Sequence, residues 1–189
     1  DITGAWVHLP VFANRHHDGI LAVTEAPAAG FPEATLHTAI EAAGRVAASL
    51  DYVGVLCVEF FVLDDGRLVV NEMAPRPHNS GHYTIDACVT SQFEQQARVM
   101  AGLPLGATRQ HSPAVMLNLL GDVWYGDADA PSEPDWTRVL RHPQAKLHLY
   151  GKTEARRGRK MGHVTVLGET AAECASVAAT IERDLGIAT

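Results

Sequence analysis

The chain has 189 residues and a formal net charge of −7, and 47% of its residues are hydrophobic. This composition is that of an ordinary globular protein, long enough for one large domain or two small ones. The acidic balance argues against nucleic acid or an anionic membrane as a partner. No apolar run reaches the roughly 18 residues needed to span a bilayer, and no signal peptide is apparent, so we expect a cytoplasmic protein. The three cysteines are widely spaced in apolar contexts, which predicts reduced, buried thiols.

Hydrophobic periodicity and turn signals predict a chain of paired strands with helices between them. The predicted elements are strands at residues 6–11 and 19–25 joined through residues 14–18, a helix from Pro32 to about Leu50, strands at 53–63 and 67–73, a helix at about 91–101, a strand at 114–119, a short helix at 134–141, strands at 146–150 and 163–167, and a helix from about Thr170 to Leu185. Thr170 with Glu173 three residues later has the spacing of a capping box for the last helix.

The predicted hairpin places two like charges face to face. If Asp65-Gly66 forms a two-residue loop, Asp64 pairs with Arg67. In that register Glu59 lies directly opposite Glu72, and like charges in this position repel unless a cation lies between them. Mg²⁺ prefers oxygen ligands that it shares with substrate phosphates, so a magnesium site is one interpretation. A slipped register, or two glutamates on a solvated face, is the other.

A stiff loop follows the second strand and runs from Pro75 to His82. Its two prolines hold the backbone out of a helix. Arg76 can grip a planar oxyanion with two parallel hydrogen bonds. Taken singly, Arg76 is expected to form a surface ion pair, and His78 or His82 to cap a helix or fill a core. The cluster beside the paired glutamates instead favours binding of an anion or a phosphate.

A second cluster of charge lies near the end of the chain. Five basic residues fall within nine positions: Lys152, Arg156, Arg157, Arg159 and Lys160. Such a run is usually a solvated turn. The functional interpretation is a clamp for a monoester phosphate, because Lys and Arg donors beside exposed glycine backbone suit that group.

These residues resemble the N5-carboxyaminoimidazole ribonucleotide synthetases, which are ATP-grasp ligases of bacterial and fungal purine biosynthesis. The matching runs are residues 14–21, 55–62, 71–76, 78–82, 91–95, 102–106, 149–152 and 158–163. The run from Asn71 to His82 is specific, since biotin carboxylase and other ATP-grasp enzymes share only scattered Glu and Arg positions. The family enzymes are about twice as long as this chain, which corresponds to their C-terminal half.

The resemblance implies an α+β fold in two parts. Residues 1–106 are expected to form the second part of an ATP-grasp domain, with helices on a mixed or antiparallel sheet. Residues 107–189 are expected to form a small C-terminal α/β domain. We also expect the protein to associate as a homodimer.

The resemblance also implies which residues handle ATP. Glu59 and Glu72 are implied as ligands of Mg²⁺, which serves as cofactor with ATP as substrate. Asn71, Glu72 and His16 are implied to contact the nucleotide. Asn71 directly precedes Glu72 and so lies near the predicted Glu59–Glu72 pair, whereas His16 belongs to a separate motif at residues 14–21.

Further implied roles concern the two other substrates. Arg76 would hold bicarbonate and then carboxyphosphate, with His78 beside it as orienter or proton acceptor. Lys152 and Arg159 would hold the 5′-phosphate of 5-aminoimidazole ribonucleotide. Two alternatives stay open: a carboxylase or formyl-transferring ATP-grasp relative with another acceptor, and a non-catalytic dimerisation module.

For the 189-residue chain by itself we expect a folded but inactive protein. The sequence contains no candidate for the glycine-rich, lysine-containing lid that closes over ATP in the family. Mg²⁺ gives up its hydration reluctantly without substrate phosphates to complete its shell. ATP affinity should therefore be no better than millimolar, about −4 kcal/mol. Micromolar Mg²⁺-ATP binding by this chain in calorimetry would contradict this expectation.

Overall fold

The computed structural model describes residues 1–126 and 128–187, so residues 127, 188 and 189 of the predicted second domain lie outside the described part. The chain divides into two compact units. The first comprises residues 1–11 and 28–111, and the second comprises residues 12–27 and the chain from Ser112 onward. Among the described residues, no helix combines the length and the apolar character that crossing a bilayer requires.

Helices and antiparallel strands alternate along the chain, which confirms the predicted α+β class. The elements are β1 Ala13–His17, β2 Ile20–Ala26, α1 Glu33–Ser49, β3 Cys57–Val62, β4 Leu68–Ala74, α2 Thr84–Ala87, α3 Gln92–Met100, β5 Ala114–Leu120, α4 Asp122–Tyr125, α5 Thr137–Leu140, β6 Ala145–Leu149, β7 Lys160–Leu167 and α6 Ala171–Leu185. A 3-10 turn at Asn79–Gly81 lies between β4 and α2.

The first hairpin differs from the prediction. Residues 6–11, predicted as a strand, have no regular structure, and β1 instead covers most of the predicted connection at 14–18. The turn is Asp18-Gly19, with φ angles of 48° and 75°. Positive φ at both central residues is typical of a type I′ turn, the connection that matches the twist of two paired strands. The Asp-Gly turn signal therefore outweighs the apolar run at 6–11 in setting where the first strand lies.

The second unit is a five-stranded antiparallel sheet with the strand order β1-β2-β5-β7-β6, and α6 packs on β5 and β7. Alternate residues of β5, Val115, Leu117 and Leu119, join its hydrophobic core with Ile181 of α6. The N-cap half of the predicted capping box is present, since Thr170 Oγ1 accepts a hydrogen bond from the Glu173 backbone N–H at 3.2 Å, whereas the Glu173 carboxylate accepts from the Glu169 N–H at 3.0 Å and not from that of Thr170. Strands β2 and β5 were predictable because their buried residues form apolar runs in the sequence. The start of α6 was predictable because the cap has a recognisable spacing.

The predicted boundary between residues 106 and 107 stays a prediction. It places β1 and β2 in the first predicted domain. In the structure β2 pairs with β5 from Val23 to Ala26, so both strands belong to the sheet of the second unit. The β1–β2 hairpin pairs with β5, which lies far along the chain. Its own residues carry no local sequence signal for this pairing.

The first unit is built around the β3–β4 hairpin, with α1, α2 and α3. No residue of α1 is buried. The hairpin exposes several large apolar side chains: Phe61, Val62, Val69, Val70 and Met73. Side-chain amides of α3 hold nearby backbone instead. Gln95 both donates to and accepts from Gly106, at 2.8 and 3.0 Å, and Gln96 accepts from the Val55 N–H at 2.8 Å.

Removing the cap of α6 should destabilise the second unit. Thr170→Ala deprives the first turn of a side-chain acceptor, which costs about 1 kcal/mol of the free energy of unfolding. Thr180→Ala is the matched control, because it makes the same change in the middle of α6, where alanine is the better helix former. Urea unfolding followed by circular dichroism measures both variants. Equal losses in the two variants would contradict a capping role for Thr170.

Candidate functional site

The turn of the β3–β4 hairpin is one residue longer than predicted. Leu63 N–H donates to the Arg67 carbonyl at 2.9 Å, so these two residues close a three-residue loop. Gly66 occupies the last loop position with a φ of 82°, a conformation that favours glycine. The predicted pairing of Asp64 with Arg67 is therefore wrong, because the chain uses the glycine at the left-handed position of a longer loop.

A β-bulge then restores the predicted pairing further along the strands. Phe60 pairs with Val70, whereas the next pair is Glu59 with Glu72, which leaves Asn71 as the extra residue of β4. The shift from the longer loop and the shift from the bulge cancel. Glu59 thus lies opposite Glu72, as predicted. Bulges occur often beside active sites, where they redirect side chains.

His78 lies between the two carboxylates. Its Nδ1 is 3.5 Å from Glu59 Oε1, and its Nε2 is 3.3 Å from Glu72 Oε1. Glu59 is buried at 9% exposure, while the Glu72 side chain is 57% exposed. An imidazolium has a donor on each nitrogen and would offset one of the two negative charges. The loop after β4 thus places an imidazole where, when protonated, it would offset the like-charge contact.

The loop that carries His78 is held by Gln92, the first residue of α3. The Gln92 side chain accepts from the His78 N–H at 2.8 Å and donates to the His78 carbonyl at 2.7 Å. Its Nε2 also lies 2.9 Å from Nδ1 of His82. On the ring side, Ser80 Oγ is 2.8 Å from His78 Nδ1. Gln92 and Ser80 are both buried, so the His78 ring is fixed from its backbone and from its edge.

Cys57 adds a sulfur atom to this group. Its thiol lies 4.0 Å from Ser80 Oγ, and it forms a compact group of possible metal-binding side chains with Glu59 and His78. Burial and the neighbouring Glu59 carboxylate raise the pKa of the Cys57 thiol to about 11. The thiol is thus protonated at neutral pH in the absence of a bound cation.

The other predicted residues of this site are more exposed. Arg76 is exposed and donates from Nη1 to the Pro77 carbonyl at 3.0 Å, so the guanidinium folds back on its own loop. Asn71 is exposed at the bulge. His16 belongs to the second unit, where it pairs with Leu21 beside an irregularity of β1, and it is exposed.

The predicted phosphate clamp is the connection between β6 and β7. Lys152 donates from Nζ to the Lys160 carbonyl and lies 5.7 Å from the centroid of the Tyr150 ring. Arg159 donates from Nη1 to the Glu154 carbonyl at 2.8 Å. The side chains of Lys152 and Arg159 therefore connect opposite sides of the loop by hydrogen bonds. Both residues lie in runs that match the family.

The two neighbouring arginines have other contacts. Arg156 pairs with Glu154 at 2.6 Å, and Arg157 lies over the Tyr125 ring at 4.8 Å from its centroid. The loop itself is anchored on the start of α4. Gly121 donates to the Arg159 carbonyl at 2.8 Å, and a Cβ at this glycine would lie 2.1 Å from the Arg156 carbonyl oxygen. The close approach requires glycine, and it sets the position of the basic loop.

Three of the predicted residues thus meet directly in the first unit: Glu59, Glu72 and His78. Sequence reasoning missed the positioning role of Gln92 and the proximity of Cys57. Gln92 lies in a motif of the resemblance that carries no assigned role. The alternation of Cys57 and Glu59 along one strand was the available signal for the thiol, since alternate strand residues share a face.

Two family sequence models match the chain in succession. The model described as the ATP-grasp domain matches residues 1–93, and that of the phosphoribosylaminoimidazole carboxylase C-terminal domain matches residues 114–177. The two matches together reach both candidate sites.

Curated relatives and solved structures agree with these matches. The N5-carboxyaminoimidazole ribonucleotide synthase of Brucella melitensis is 55% identical over 152 residues, which cover 80% of this chain and 39% of that protein. The crystal structure of the synthetase from Thermus thermophilus has a TM-score of 0.82 and 42% identity, over 93% of this chain and 45% of that chain. An Aspergillus clavatus synthase, in complex with ADP and 5-aminoimidazole ribonucleotide, has a TM-score of 0.83 and 33% identity, over 94% and 47% of the two chains.

The chain spans less than half the length of these three relatives. The two structural matches cover 93% and 94% of this chain, so they include most of both family-model matches. The chain therefore belongs to the family of N5-carboxyaminoimidazole ribonucleotide synthetases, ligases of the ATP-grasp class.

Proposed function

We propose that the protein serves in the ATP-dependent carboxylation of 5-aminoimidazole ribonucleotide at nitrogen, a step of purine biosynthesis. In the proposed reaction a bicarbonate oxygen attacks the γ-phosphorus of ATP, which gives carboxyphosphate and ADP. The amine of the ribonucleotide then attacks the carboxyphosphate carbon, and phosphate leaves. The Aspergillus clavatus relative bound to ADP and 5-aminoimidazole ribonucleotide supports this choice of substrates.

The observation that carries the proposal is the group of Glu59, Glu72 and His78. A buried carboxylate faces a second carboxylate across the hairpin, with the imidazole within 3.5 Å of both. Such a contact is costly unless the site handles a cation or a proton. Both tasks belong to phosphoryl transfer, in which catalysis is mainly positioning and the neutralisation of charge.

The donor set fits Mg²⁺. Glu59 and Glu72 offer carboxylate oxygens. Mg²⁺ is usually bound by one or two carboxylates together with the phosphates of a substrate such as ATP. When bound, Mg²⁺ would neutralise charge on the phosphates during transfer. Asn71 projects from the bulge next to Glu72, and we propose that it contacts the nucleotide. The assignment of His16 to ATP rests on the motif at residues 14–21.

Arg76 and His78 are proposed to handle bicarbonate and carboxyphosphate. The guanidinium supplies parallel N–H donors that fit a planar oxyanion. His78 has a ring held by Ser80 and a backbone held by Gln92, so it can orient the anion or accept a proton at a defined position. A ring that is already held in place increases the reaction rate, because less conformational freedom is lost when the substrate binds.

Lys152 and Arg159 are proposed to anchor the ribonucleotide through its 5′-phosphate. Both donors already satisfy loop carbonyls, at Lys160 and Glu154, so the loop is braced before the phosphate arrives. Binding energy from this remote group would then be used to orient the amine. A homodimer and a cytoplasmic location complete the proposal.

Replacing Glu72 should abolish turnover without unfolding the protein. The variants belong in an enzyme of the relatives' full length that carries this segment. Glu72→Gln keeps the size of the side chain but removes the charge that a Mg²⁺ site needs, so kcat should fall by orders of magnitude. Steady-state ATP hydrolysis with bicarbonate measures the loss. Glu41→Gln, an exposed change in α1, is the control. A Glu72→Gln enzyme with normal kcat would refute the metal assignment.

The basic residues should separate by the step that they serve. Lys152→Ala or Arg159→Ala should raise the KM for 5-aminoimidazole ribonucleotide and leave bicarbonate-dependent ATP hydrolysis largely intact. Arg76→Ala should abolish that hydrolysis, because carboxyphosphate no longer forms.

Arg156→Ala is the matched control for these variants, since Arg156 pairs with Glu154 within the same loop. Its KM should stay near that of the unchanged enzyme. Equal losses of both activities in Lys152→Ala, Arg159→Ala and Arg76→Ala would instead make the basic loop structural.

A further inference from the structure

A thiol, a carboxylate and an imidazole converge on one face of the β3–β4 hairpin. Donor atoms of Cys57, Glu59 and His78 all lie within 4.8 Å of one another. The proposed handling of ATP uses the carboxylate oxygens and leaves the sulfur without a role. Zinc and similar divalent transition metals prefer sulfur and imidazole nitrogen as ligands, whereas Mg²⁺ prefers oxygen.

The three side chains come from a strand and from a hydrogen-bonded loop of the first unit. Cys57 and Glu59 are alternate residues of β3, so their side chains leave the same face of the strand. His78 reaches this face from the loop that Gln92 holds by two backbone hydrogen bonds. Glu59 and His78 are buried, at 9% and 8% exposure. The group is thus held by the fold, unlike a chance meeting of long surface side chains.

The distances fit a tetrahedral ion after a small closure. Bonds of about 2.3 Å to sulfur and 2.0–2.1 Å to nitrogen or oxygen place tetrahedral ligands about 3.3–3.6 Å apart. His78 Nδ1 and Glu59 Oε1 are 3.5 Å apart. The upper limit of 4.8 Å for the whole group leaves about 1 Å to close, which a rotation of the Cys57 side chain can supply.

Glu72 completes the arrangement from outside. With an ion on Nδ1, the other ring nitrogen, Nε2, carries the hydrogen and lies 3.3 Å from Glu72 Oε1. A carboxylate that accepts from the second nitrogen of a ligating histidine fixes its tautomer and raises its basicity. The Ser80 hydroxyl, now 2.8 Å from Nδ1, would give up that contact to the ion.

We propose that Cys57, Glu59 and His78 form a site for a divalent transition-metal ion that accepts sulfur and nitrogen ligands, as Zn²⁺ does. Water supplies the fourth ligand, and the thiol proton passes to solvent when the sulfur binds. Because Glu59 is shared, this ion and the Mg²⁺ proposed above exclude each other. The transition-metal site is tested on the chain alone and does not depend on the ligase activity.

Cobalt(II) reports the sulfur ligand directly. Titration of the 189-residue chain with Co²⁺ should produce a sulfur-to-metal charge-transfer band in the near ultraviolet. Cys57→Ser should lose this band, and Cys88→Ser, the control in the same unit, should keep it. Absence of the band in the unchanged chain, or its survival in Cys57→Ser, would overturn the proposal.

Zinc calorimetry gives the size of the effect. Loss of an outer partner of a ligating histidine typically weakens metal binding about 10–100-fold, so Glu72→Gln should fall in that range. Cys57→Ser and His78→Ala should lose at least about 100-fold, because each removes a ligand. Should these variants unfold, X-ray absorption of the unchanged zinc-loaded chain decides. One sulfur at about 2.3 Å supports the site, and a shell of nitrogen and oxygen alone refutes it.

Discussion

The side-chain amide of Gln92 is the contact on which the candidate site depends. It makes a donor and an acceptor bond to the backbone of the same residue, His78, from the first turn of α3. An unpaired buried N–H or carbonyl costs roughly 1–3 kcal/mol, so the two bonds strongly restrain the loop. Ser80 then restrains the ring itself. The imidazole is thereby held within 3.5 Å of both carboxylates, those of Glu59 and Glu72.

The hairpin shows how a local error and a tertiary feature can offset each other. The loop of β3–β4 has one more residue than the Asp-Gly signal predicted, and Asn71 is an extra residue in β4. Without the bulge, every side chain of β4 beyond it would face the other side of the sheet, because strands alternate with a period of two. The bulge returns Glu72 to the face of Glu59.

One carboxylate serves two kinds of cation in the proposals above. Glu59 can join Glu72 in an all-oxygen set for Mg²⁺, or join Cys57 and His78 in a mixed set for Zn²⁺. The two sets differ in softness and geometry, so the identity of the ion depends on which ligands approach it. Substrate phosphates favour the first set, because they complete the shell of a hard cation. In the absence of ATP those phosphate oxygens are missing, and the thiol and the imidazole are the donors that suit a softer ion.

The sequence by itself determined the α+β class, most helix and strand positions, the capped start of α6 and the family motifs. These features depend on local periodicity, turn residues and residue identity, all of which are readable along the chain. The tertiary structure alone decided that β1 and β2 join the sheet of β5, that Asn71 bulges, and that Cys57, Gln92 and Ser80 gather around His78. Such contacts join residues far apart in sequence, and their energies arise only when packing brings the partners together.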